Sequence, residues 1–259
     1  MSFGRHRALA ATLALIVWLC LPTIDRAAAA EPDVLAGRSK ACPNCALQNA
    51  PLKRKDLTGA DFSGANLSGA VLHRARLARA TFAGADLTNA NLNKTDLKNA
   101  SLVRAKLSGA MLYETDASAA DFTGADLADS KMGRARLVRA TLNGANIRDA
   151  VLTGARIDEA SLRAADLRNA NLVEATLRRA DLAGANLSRA GLVDAMLRDA
   201  NLTGANLTDA DLYGADLSGA NLSRADLSGA RLTSAVLTGA TLDGAILKGA
   251  LMPDGRVHD

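Results

Sequence analysis

Ala60-Asp61-Phe62-Ser63-Gly64-Ala65-Asn66-Leu67-Ser68-Gly69 contains the rule by which the chain is built: a large apolar residue at every fifth position, a small one two places before it, and a polar one between them. The same cadence runs without insertion from Leu47 to Leu247. A period of five suits neither ordinary element. On an α-helix each step of five advances a side chain by about 140° net, which smears the leucines around the whole circumference. In a continuous strand an odd period sends successive leucines to opposite faces. A chain that turns by about 90° every five residues keeps all the leucines on one axis, four pentads to a square coil, so the period predicts an all-β solenoid.

The other repeat positions agree. Alanine at the second inward place (Ala60, Ala65, Ala70 and onward past Ala200) suits a cramped corner. Glycine two places after the leucine (Gly64, Gly69, Gly109, Gly184, Gly219) suits a turn with positive φ. Asp or Asn just before it (Asp86, Asn91, Asn186, Asp211) can hydrogen-bond nearby backbone, so their abundance reads as structural. Phe62, Phe82 and Phe122 are spaced by multiples of twenty, with Leu102 filling the intervening rung, which puts them on one interior wall if four pentads make a coil. Leu47 to Leu247 then gives about ten coils, and at about 4.8 Å per coil a rod about 50 Å long.

This A-(D/N)-L-x-x pattern resembles the pentapeptide-repeat family, and the likeness covers most of the chain. The resemblance implies a right-handed quadrilateral β-helix. It implies little about function, because the family includes many uncharacterised members beside a few that protect DNA gyrase by imitating duplex DNA; fold alone does not carry a task.

The chain opens with Arg5 and Arg7, an apolar run from Ala8 to Leu21, and a segment ending Ala27-Ala28-Ala29-Ala30, the order of a secretory signal peptide cleaved after Ala30. The run is shorter than the roughly 20 residues that span a bilayer, so an uncleaved anchor is the weaker reading and membrane contact is expected to be peripheral at most. Val17-Trp18-Leu19 ahead of Cys20 makes a poor lipoprotein signal. Export implies the bacterial periplasm. The formal net charge of +4 falls to about +2 once residues 1–30, with Arg5, Arg7, Arg26 and Asp25, are removed. So balanced a chain is neither a polyanion imitating DNA nor a strong phosphate-backbone binder. With only Phe62, Phe82, Phe122, Tyr113 and Tyr213 as aromatics after residue 30, it also lacks stacking platforms for single strands.

Residues 31–46 read as a non-repetitive N-terminal cap, 47–252 as the β-helix and 253–259 as a tail. Cys42-Pro43-Asn44-Cys45 in an exported chain reads as a structural disulfide between Cys42 and Cys45 that ties the cap. A redox centre is the alternative, but the helix N-terminus and βαβ setting that chemistry uses are missing. His73 and His258, far apart, do not make a zinc site. Arg54, Arg74 and Lys94, interrupted by Glu114 and resumed by Arg134, would stack as a cationic edge at the twenty-residue period. That edge reads first as a solvated face and second as a site for an anionic partner. Ala117 stands where a leucine belongs, with Thr115 and Ser130 replacing inward alanines, which marks an underpacked coil.

Nothing resembles a catalytic site. The Ser and Thr residues lack a partnering histidine, the Asp residues are spread along walls, and no G-x-x-x-x-G-K loop occurs. No enzyme, metal or cofactor is expected. The sequence instead points to an exported scaffold or protein-binding rod whose partner protein is unknown. Its last coil, followed by a tail too short to form a capping helix, suits a homodimer through the C-terminal coils. The competing readings are a cytosolic modulator of gyrase or topoisomerase by DNA mimicry, and a thiol-disulfide redox protein using Cys42 and Cys45.

Overall fold

The computed structural model describes residues 33–259; the expected signal peptide lies outside the described residues. From Ala41 to Leu251 the chain is a single β-helix in which each bridging residue pairs in parallel with the one twenty positions later, as Asn66 does with Asp86 and Asp86 with Lys106. Four pentads therefore make a coil. The coil is the right-handed quadrilateral type.

One pentad shows why the arrangement closes. Buried backbone N–H groups need acceptors, and in Ala65-Asn66-Leu67-Ser68-Gly69 four of the five find a carbonyl. Ala65 donates across its turn to Phe62 at 3.0 Å, Asn66 back one coil to Cys45 at 2.8 Å, and Leu67 and Gly69 forward to Asp86 and Thr88 at 2.6 and 2.9 Å. The fifth, Ser68, has no carbonyl to meet. Its N–H is taken by the Asn66 side chain at 3.1 Å. The Asp or Asn before the leucine is thus the acceptor that the ladder lacks, and the same bond recurs from Asp56 to Asp226.

Each pentad ends in a turn whose third residue has positive φ. Glycine fills that place at Gly64 and Gly219, but most pentads put another residue there, including Arg54, Glu114 and Ala164. The left-handed conformation costs an L-residue about 1–2 kcal/mol, so the ladder and core must outweigh it at every such corner.

The inward residues form a dry column of leucine flanked by alanine, nearly all fully buried. Phe62 and Phe82 stack with ring centroids 5.3 Å apart, and Phe122 is buried in the same column beyond Leu102. At about 1.5–3 kcal/mol for each buried large side chain, this column is the main source of stability.

The N-terminal boundary differs from the sequence reading. The coil begins at Ala41, which bridges Asp61, and Cys42-Pro43-Asn44-Cys45 is an ordinary repeat turn with Asn44 at φ 56°. Cys42 occupies the Phe62 column and Cys45 an inward small-residue place, so the leucine pattern was hidden by cysteine. The cap proper is shorter: a helical turn at 33–35 lays Val34, fully buried, over the open end. Lys55, at an inward position that alanine holds one coil later, donates to the Leu35 carbonyl at 2.7 Å and fastens the cap.

The two ends are unlike. At the C-terminus Leu237, Leu242 and Leu247 stay partly exposed. The tail folds back beside the last coil, with Leu251 bridging Val257 antiparallel and His258 N–H donating to Ala250 at 2.8 Å. It covers one side of the opening and leaves the rest uncovered.

Candidate functional site

With the interior fixed by packing, chemistry is confined to the outward residues and the two ends. The walls are named here by a core residue in the second full coil: Phe62, Leu67, Leu72 and Leu77. The edge formed by Arg54, Arg74, Lys94 and Arg134 lies on the corner between the Leu72 and Leu77 walls, each residue at the positive-φ place of its turn. The side chains differ in their surroundings. Lys94 is neutralised by Glu114 at 3.2 Å. A hydrogen bond from Tyr113, and then the Lys94 ammonium, hold the Glu114 carboxyl below its usual range. Arg134 donates to the Tyr113 hydroxyl at 3.4 Å. Arg54 and Arg74 stand in a positive neighbourhood with Lys53, and the His73 imidazole is pushed down by burial first and then by the charges of Arg74 and Lys53. Of the four, only Lys94 is paired with a carboxylate among the described residues.

Cys42 and Cys45 are fully buried, with Cα atoms 5.4 Å apart and their sulfurs at bonding distance. Both sit inside the coil, away from any ligand that could approach from outside. Ala117 is buried between Leu97 and Leu137 of its column. Beside it Thr95 and Thr115 turn their hydroxyls onto one acceptor, the Leu92 carbonyl, at 2.7 and 2.6 Å. Ser130 Oγ is buried with no partner. Among the described residues no group of His, Cys, Asp and Glu could hold a metal ion, and no helix is long and apolar enough to cross a membrane.

Three features escape the sequence reading. Where the residue before the leucine is not Asp or Asn, as at Met111, Ser161 and Thr176, a neighbouring coil can supply the acceptor: Asn93 takes the Tyr113 N–H at 2.8 Å, Asn143 that of Arg163 at 2.9 Å, and Asp158 that of Arg178 at 3.2 Å. Each donor lies twenty residues from its acceptor, so only the coil period would have revealed it. On the Leu77 wall, Arg156, Arg178, Arg179 and Arg198 line an open depression together with Asp158, Glu159 and Asp199. On the Leu72 wall, Arg231 chelates Asp211 and covers the Tyr213 ring at 5.0 Å.

A β-helix of four pentads to the coil, with leucine and alanine turned inward, defines a repeat protein of the quadrilateral solenoid class. The family model for pentapeptide repeats matches stretches running from 56–93 through 120–158 to 210–249, and the chain belongs to that family. The crystal structure of HetL, a pentapeptide repeat protein involved in heterocyst differentiation regulation from the cyanobacterium Nostoc, is similar at 38% identity and a TM-score of 0.65, covering 88% of this chain and 97% of HetL. Rfr23, from the cyanobacterium Cyanothece, is 40% identical over 34% of this chain and 60% of its own, with a TM-score of 0.34. QnrB1, a plasmid-mediated fluoroquinolone resistance protein, is 19% identical over 64% of this chain and 89% of its own, at a TM-score of 0.39. No curated protein matches the sequence.

Proposed function

We propose that the protein is an exported, non-catalytic scaffold that binds another protein along its walls in the bacterial periplasm. The observation that carries this is the division of labour in the coil: packing dictates the inward residues, while the outward corner residues vary in size and charge. Arg54, Glu114, Glu174 and Ser234 all occupy the same corner. Such a surface supports recognition and offers no paired acid and base for catalysis. HetL is named for a part in regulation, which agrees with a binding role. The interleaved signs of the outer charges speak against imitation of DNA.

The Cys42–Cys45 pairing fits an oxidising compartment and a cap held in place after export. The edge led by Arg54 and Arg74 suits an acidic segment of the partner. The C-terminal opening, where Leu237, Leu242 and Leu247 stay partly exposed, suits end-to-end docking with a second copy.

A photo-crosslinking residue placed in cells at Arg74 or Tyr113 tests the reading. The expected product is a discrete adduct with a periplasmic protein other than a second copy of this chain. No adduct at either position, or an adduct with gyrase, contradicts it.

A further inference from the structure

The outer charges carry an order that neither folding nor the proposed scaffold role requires. Along the corner between the Leu72 and Leu77 walls, the N-terminal coils present Arg54, Arg74 and Lys94, and the C-terminal coils present Glu174 and Asp194. Glu114 and Arg134 stand next to each other at the middle. Lys94 and Glu114 satisfy each other within the chain. Among the described residues, no ion pair uses Arg54, Arg74, Glu174 or Asp194. Four exposed charges at the two ends of one column are therefore left over, positive at one end and negative at the other.

We propose that the Leu77 wall with this corner is a self-association surface, on which a second copy of the chain lies side by side and antiparallel. Its two-fold axis crosses the wall between the coils of Glu114 and Arg134. With that axis Arg54 faces Asp194 of the second copy, Arg74 faces Glu174, and Glu114 faces Arg134. The adjoining outward row, whose charges already pair within the chain, is complementary about the same axis: Asp96 meets Arg156, and Asp116 meets Arg136. One row further, Lys98 meets Asp158. None of these three rows contains a like-charged pair in this register.

Neighbouring registers fail on both of the first two rows. Moving the axis by half a coil in one direction sets Arg134 and Arg136 each against its own copy; moving it in the other sets Glu114 and Asp116 against theirs. A parallel arrangement about the central row puts Asp116 on Asp116 and Arg136 on Arg136. The like-charged contact that the chosen register retains, Arg79 with Arg179, falls on the far corner, at a solvated rim where screening is strong.

The size of the surface sets the expected strength. Eight coils at about 4.8 Å give about 38 Å of length, and five extended residues give at most about 17 Å of width. That is about 600 Å² per copy, near the lower end for specific association. Charge supplies the register and the orientation, so the contact should be reversible and should weaken with salt.

Sedimentation velocity of the full exported chain, at low and at high salt, tests this with two double variants. The wild type is expected to associate at low salt and to separate at high salt. Arg54→Glu with Arg74→Glu, and separately Glu174→Arg with Asp194→Arg, should each weaken this step by about tenfold or more, because like charges then meet. An equimolar mixture of the two variants is expected to recover it, since every reversed charge in one meets its complement in the other. All four sites are exposed, and the recovery excludes misfolding as the cause of the loss. No salt-sensitive association in the wild type, association unchanged in both variants, or a mixture that fails to recover would each overturn the proposal. An apolar end-to-end contact would persist in high salt and ignore both reversals.

Discussion

Asp226 illustrates what one polar side chain does in this fold. Its Oδ1 accepts the Ser228 hydroxyl at 2.6 Å and the Ser228 N–H at 2.9 Å, supplying the acceptor that the coil-to-coil ladder omits. Those two bonds, hydroxyl first, hold its carboxyl below the ordinary range against the opposing effect of burial, and Ser218 does the same for Asp216. The folded state therefore prefers the ionised form more than the unfolded chain does. The stability from this preference is present above the ordinary carboxylate pKa of about 4 and is lost as pH falls through the depressed folded value. Melting temperature measured against pH should show an acid limb that flattens when Asp216 and Asp226 are both replaced by Asn. The amide keeps the acceptor and cannot lose a charge, so stability at neutral pH should drop by no more than about 1 kcal/mol. An unchanged acid limb would mean that other carboxylates govern it.

The pentad is the element of this protein, and its corner is where substitutions separate strain from packing. Gly64 and Gly84 follow one another in the same corner column with φ near 64°, yet a Cβ on Gly84 meets nothing, while one on Gly64 would strike Asn44 Oδ1. Gly84→Ala should cost about 1–2 kcal/mol through backbone conformation alone, and Gly64→Ala more, because Asn44 must also move; equal denaturation midpoints would show that Asn44 yields freely. Ala117 tests the interior. Ala117→Leu should raise stability by about 1–3 kcal/mol if the space left by the missing side chain is open, whereas a lowered midpoint would show that Leu97 and Leu137 have closed over it and the added bulk overpacks the coil. The pentad was legible in the sequence because inward residues obey a strict steric rule: Phe62 and Phe82 could be placed in one column from their spacing alone. Cys42 was not, because cysteine at a leucine place hides the period. Asn93 and Asp158 were not, because a side chain that serves a coil twenty residues away looks like any exposed polar residue until the coil length is known.

For the whole molecule, the solenoid makes the coils equivalent and leaves the two ends to differ. Val34 and Lys55 close the N-terminal end, while the tail covers only part of the C-terminal one. Growth into open filaments needs two exposed ends, so the proposed end-to-end docking predicts a closed pair and no filament. Cys42 and Cys45 lie inside the first coil, where a bond between them closes its first repeat turn. Charge along the walls could be read as columns from the sequence, but which charges were satisfied within the chain could not: Arg54 and Lys94 look alike in a column and differ only because Glu114 reaches Lys94. The most direct test of an exported, cap-tied rod is the intact mass of the protein recovered from fractionated bacterial cells, with thiols alkylated before and after reduction. A periplasmic product beginning at Glu31, with Cys42 and Cys45 alkylated only after reduction, is the predicted result; a cytosolic full-length chain with both thiols free would contradict it.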